Sequence, residues 1–142
     1  MSWLLRPALV AAVLLRSMQI VAFYEDPKPD TIPGLAAADQ FYRAGKFAEA
    51  EASYQALLKS DSKLLPANLV AAQVGLVRAR LRQQKIDEAL DAVNLALTTQ
   101  PNAAPLLAAK GDVLFRDGEM PEAESTYLAA RKADPKEVHA YL

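Results

Sequence analysis

The sequence predicts an all-α chain, and three observations carry that prediction. Alanine and leucine, both strong helix formers, supply 49 of the 142 residues. Only five glycines are scattered through the chain, too few for the many tight turns of a sandwich or barrel. An apolar-acidic phrase also returns three times, as Phe47-Ala48-Glu49-Ala50, Ile86-Asp87-Glu88-Ala89 and Met120-Pro121-Glu122-Ala123, with the closing alanines 39 and 34 residues apart. Self-similarity at such a period marks a stack of like helical units. The balance of 16 basic against 17 acidic side chains argues against a nucleic-acid surface. The absence of cysteine removes disulfides, thiolate nucleophiles and thiolate metal sites.

Residues 1–24 form the first element, an apolar helix with no acidic residue and two basic ones, Arg6 and Arg16. Three readings fit it. A spanning anchor needs about 20 mostly apolar residues, and Leu4 to Tyr24 supplies them, with Arg16 near mid-membrane. A helix lying in the interface or docked on a partner subunit accommodates Arg16 more easily. A cleaved signal fits Arg6 and the apolar run after it, but no small-x-small site follows closely. For an anchor, Arg6 before the span and Glu25, Asp26 and Asp30 after it place the N-terminus in the cytoplasm and the remainder across the membrane. The expected location is therefore membrane-associated, with export as a soluble protein the alternative. Residues 25–34 follow as a linker, stiffened by Pro27, Pro29 and Pro33.

The repeating units occupy 35–142. In the third, Leu107, Gly111, Leu114, Ala123, Tyr127, Ala130 and Pro135 stand at the spacing of a small residue, an apolar ladder, a second small residue, an aromatic and a closing proline. The first unit matches with Ala38, Phe41, Gly45, Ala50 and Tyr54, and the second with Ala89, Ala96 and Pro101. The second departs at Val77, in the small position, and Arg80, in an apolar one; a slip of one residue would instead turn Val74, Val77 and Leu81 inward, and both registers remain open. The extra five residues of the first interval fall near Ser60 to Pro66, so the helix opening at Pro66 should run long, to about Gln83.

These positions resemble the tetratricopeptide repeat (TPR) family over about three quarters of the chain. The resemblance implies a right-handed α-solenoid of three helix-turn-helix units, with Lys136 to Leu142 starting a short capping helix and the N-terminal helix separate. It also implies a generic protein-binding scaffold, since function on this fold lives in the site.

Catalytic chemistry has little to draw on. His139 is the only histidine and lies near the C-terminus, so no histidine pair is available for a metal, no buffered Ser-His arrangement is read from the sequence, and an exposed place on the capping helix accounts for it. Glu49, Glu51, Glu88, Glu122 and Glu124 crowd the starts of second helices, where they complement the helix dipole. No phosphate-binding glycine loop occurs. The sequence thus points to a non-enzyme without metal or cofactor.

The resemblance places the first helix of each unit on a concave wall, lined by Leu35, Asp39, Tyr42 and Arg43, then Val74, Arg78, Leu81 and Arg82, then Ala108, Asp112, Phe115 and Arg116. Arg43, Arg82 and Arg116 share one repeat position. Such a ladder would take an acidic or C-terminal peptide segment. The plainer reading pairs Asp39 with Arg43 and Asp112 with Arg116 at i,i+4 on a solvated face. Leu35 and Asp39 stand where the carboxylate-clamping TPR subclass carries Lys and Asn, which sets this chain apart from that subclass. The functional expectation is a scaffold or accessory subunit assembling a membrane complex, tethered through residues 1–24. An exported peptide-binding protein, or a structural subunit with no exchangeable ligand, is the alternative.

Overall fold

The computed structural model describes residues 32–60 and 63–136, which belong to the compact unit Thr31–Leu142. The apolar helix expected over 1–24, the linker up to Thr31 and the capping segment beyond Lys136 lie outside the described residues. The described chain forms six helices: α1 (Pro33–Arg43), α2 (Phe47–Ser60), α3 (Pro66–Arg82), α4 (Ile86–Thr99), α5 (Ala104–Asp117) and α6 (Met120–Ala133). They pair as three antiparallel units and stack into an all-α solenoid. α1, α3 and α5 also touch one another in sequence, forming one layer of the stack.

Proline opens the first turn of α1, α3, α5 and α6, where its missing N–H has no intrahelical partner to lose. Helices α1, α3 and α5 all end in the same way. Lys46 N–H reaches Phe41 O, Lys85 N–H reaches Arg80 O and Glu119 N–H reaches Leu114 O, the six-to-one bond of a Schellman turn. The residue that closes each turn, Gly45, Gln84 or Gly118, has positive φ at 75°, 62° and 90°. Glycine meets that demand without strain, and Gln84 is the one non-glycine residue forced to meet it.

Small side chains set the helix separation, as the repeat pattern requires. Ala38, Ala50, Ala89 and Ala123 are buried. At Gly111 a Cβ would stand 2.5 Å from the Tyr127 ring, and at Gly75 it would stand 2.4 Å from the ring of Tyr54. The middle unit solves the same packing problem differently. At the repeat position of Ala38 and Gly111 stands Val77, and at that of Tyr54 and Tyr127 stands Val93; both valines are fully buried in one core cluster. Two medium side chains replace a small one and a large one. Val74, Val77 and Leu81 all face that core, while Ala72, Leu76 and Ala79 of the same helix join the other core with Leu35, Ala38 and Tyr54. The middle helix is thus buried on two sides, which is why its pattern supports two registers at once.

α3 is the longest helix, 17 residues against 14 for α5, so the longer first interval is spent partly on its additional N-terminal turn. The membrane-associated location expected from the sequence is corrected. No helix among the described residues is long and apolar enough to cross a membrane, and the segment 1–24 that prompted the expectation lies outside them.

Candidate functional site

The layer formed by α1, α3 and α5 carries two adjoining cavities. The first, about 480 Å³, lies among Asp39, Tyr42, Arg43 and Tyr54 on one side and Val70, Ala71, Val74 and Arg78 on the other. The second, about 230 Å³, is lined by Tyr42, Arg78, Leu81, Arg82, Asp112, Phe115 and Arg116. Tyr42 and Arg78 line both, so the two join into one groove. All eight residues singled out in the sequence, Asp39, Tyr42, Arg43, Arg78, Arg82, Asp112, Phe115 and Arg116, line it. Of the other wall positions, Val74 and Leu81 reach the groove but are largely buried, and Leu35 and Ala108 belong to the core.

The two aspartates do not pair with arginines four residues on. Asp39 accepts a hydrogen bond of 2.5 Å from the Tyr54 hydroxyl, and Asp112 accepts one of 2.7 Å from Tyr127. In each case the partners are 15 residues apart and bridge the two helices of one unit. Burial and then the adjoining carboxylate push both phenols above their ordinary range, because ionising either would set two negative charges side by side. The i,i+4 ion pairs expected as the plainer reading are therefore replaced by phenol–carboxylate latches. In the middle unit Arg78 occupies the aspartate's repeat position and Val93 the tyrosine's, so that unit has no latch.

The arginines consequently keep their charge available. The ion pairs among the described residues join Arg80 and Lys85 to Glu51, and none involves Arg43, Arg78, Arg82 or Arg116. Arg82 lies 4.9 Å above the Phe47 ring, and Phe47 meets Tyr42 edge-on at 5.4 Å between centroids. That stack holds one guanidinium in place without neutralising it. Phe115 is 53% exposed at the far side of the groove.

Sequence reasoning missed two features. The first is the apolar half of the groove. Ala67, Val70 and Ala71 come from the opening turns of the long α3, and their spacing of three and four was the available signal. The second is Glu51, read as a helix-dipole residue but in fact a buried tie between units. Its side chain is 10% exposed, and its carboxylate accepts from Arg80 Nε at 2.9 Å, Gln83 Nε2 at 2.8 Å and Lys85 Nζ at 2.8 Å. Burial alone would raise its pKa; the hydrogen bonds from Lys85, Arg80 and Gln83, with the charge of Lys85, outweigh burial and hold it at about 2. Arg80 also donates to Glu88 O. Its placement where the repeat pattern wants an apolar residue is thereby explained. No group of three or more potential metal ligands occurs among the described residues.

A stack of paired helices with a continuous, cationic groove along one layer defines a helical-repeat binding scaffold. The chain belongs to the tetratricopeptide repeat-like domain family, whose model matches residues 12–142. Solved structures share the fold at low identity. The type III secretion chaperone SycD of Yersinia enterocolitica, in complex with a peptide of the translocator YopD, is 21% identical with a TM-score of 0.62, covering 74% of this chain and 76% of that one. PcrH from Pseudomonas aeruginosa is 21% identical at TM-score 0.65, covering 76% and 81%. The second TPR domain of human RPAP3, in complex with an HSP70 peptide, is 18% identical at TM-score 0.63, covering 76% and 86%. No curated protein sequence matches the chain. The family and fold together make this a protein-interaction module.

Proposed function

We propose that this chain is a non-catalytic scaffold that holds a segment of a partner protein in the groove of α1, α3 and α5, acting as an accessory or assembly factor for that partner. The carrying observation is the division of labour among the charges. Asp39 and Asp112 are occupied by Tyr54 and Tyr127, whereas Arg43, Arg78, Arg82 and Arg116 face the groove with no ion pair. An unpaired guanidinium gains most from a carboxylate, which it can hold through two parallel hydrogen bonds. The fold neighbours solved with peptides, SycD with a peptide of YopD and RPAP3 with an HSP70 peptide, support a peptide as the occupant.

The test is quantitative recovery of partners by affinity purification and mass spectrometry with the native chain and with Arg78→Ala/Arg82→Ala. Partners captured by the groove should fall several-fold in the double variant. Equal recovery of every partner from both would refute the groove as the working surface and leave a permanently docked structural subunit as the reading.

A further inference from the structure

The wall that α3 gives the groove changes from apolar to basic along the helix, while Asp39 and Arg43 of α1 face its apolar end. At the N-terminal end of that helix, Ala67, Val70, Ala71 and Val74 make an apolar floor, closed from α5 by Pro105. Toward the C-terminal end, Arg78 and Arg82 meet Arg116 around the smaller cavity. The centre of Val70, Ala71 and Val74 and the midpoint of Arg78 and Arg82 lie about eight residues apart on one helix, or roughly 12 Å at 1.5 Å per residue. An extended peptide advances about 3.3 Å per residue, so the same distance is covered in three to four residues.

We infer that the groove selects a peptide carrying an apolar residue and an aspartate or glutamate three to four positions apart, the apolar side chain seated on Val70, Ala71 and Val74 and the carboxylate held by Arg78 and Arg116 beside Arg82. This rests on the groove being the binding surface, and it deepens that reading by naming what the surface selects. Charge complementarity favours this occupant. The arginines are unpaired, the resident aspartates are capped by tyrosine hydroxyls, and Arg78 at the shared edge of the cavities stands within reach of a ligand occupying either. Tyr42 and Phe115 supply aromatic walls on either side of the basic half, where an extended backbone can lie flat.

The test is panning of a random 12-residue display library against the full chain, followed by anisotropy measurements on synthetic versions of the enriched peptides, each with a free and an amidated C-terminus. Enriched peptides should carry the apolar and acidic residues at that separation. Replacing the acid by its amide should weaken binding about tenfold, and Arg78→Glu should shift enrichment from acidic to basic residues at that place. Ala71→Arg, at an exposed position, should abolish binding while leaving the helical circular dichroism intact. Arg116→Glu provides a second charge reversal should Arg78→Glu fail to fold. Peptides that depend on Ala71 but show no acidic preference, or an acidic preference indifferent to both reversals, would overturn the two-part motif and leave groove binding standing. Loss of binding on C-terminal amidation with the internal acid dispensable would overturn it in favour of a chain terminus. Peptides indifferent to Ala71→Arg and both reversals would overturn the groove itself.

Discussion

Replacing Glu51 with glutamine should cost the domain about 3 kcal/mol. The side chain is 10% exposed and accepts three hydrogen bonds of 2.8 to 2.9 Å, two of them from cationic groups. A carboxyl held at about 2 against an ordinary 4.5 corresponds to ~3 kcal/mol at ~1.4 kcal/mol per pH unit. That agrees with the roughly 3 to 5 kcal/mol seen when one partner of a buried ion pair is removed. For a domain of this size the loss lowers Tm by roughly 10 to 20 °C. The pH dependence has a definite sign. Because the folded-state pKa lies below the unfolded one, the native state binds fewer protons, so the contribution is complete above about pH 4.5 and disappears as pH falls toward 2. Urea titrations from pH 7 to pH 2.5 should show the native protein losing this increment across that window, with Glu51→Gln losing less. A variant within about 1 kcal/mol of the native protein at pH 7, or one with the same acid slope, would refute the tie.

Gln84→Gly should raise stability by about 0.5 to 1 kcal/mol, because relief of a positive φ of 62° exceeds the added chain entropy; a lower Tm would contradict it. Gly75→Ala should cost ~1 to 3 kcal/mol by driving a methyl into the Tyr54 ring. Gly111→Ala should cost less in the same denaturation assay, since Tyr127 is less buried than Tyr54; the reverse order would refute this. Tyr54→Phe should cost about 1 kcal/mol and remove a component from the ultraviolet pH titration that ionises above the ordinary tyrosine range. Because that pKa is raised on folding, its contribution to stability is present at neutral pH and lost as pH rises through the folded value.

The six helices were readable because each unit repeats the same small and large positions, so three weak local patterns reinforce one another. Arg80 looked like a defect in that pattern because its partner, Glu51, lies 29 residues away, beyond any local rule of spacing. Glu51 itself stood among several glutamates near helix starts, all equally well explained by the dipole. The latches were closer to the surface of the sequence: Asp39 to Tyr54 and Asp112 to Tyr127 share a separation of 15, which in an antiparallel pair brings one helix face against the other. An i,i+4 rule stays within one helix and does not reach across the turn. The eight polar and aromatic residues line one groove because repeat position assigns them a face, whereas Ala67 lies on the added N-terminal turn of α3 and Val70 and Ala71 lie on the turn before the wall position Val74, outside the repeat pattern.

The exchange at Val77 and Val93 reaches beyond packing. The three units look like copies, but they are not interchangeable cassettes. A middle unit rebuilt on the pattern of its neighbours would have to receive tyrosine at 93 and a smaller residue at 77 together, and aspartate at 78 to hold the phenol. That chimera would fold on the same plan and yet reverse the sign of the charge at the centre of the groove. Divergence that looks like decay of the repeat therefore relieves one position of structural duty and leaves it open to selection for what the groove accepts.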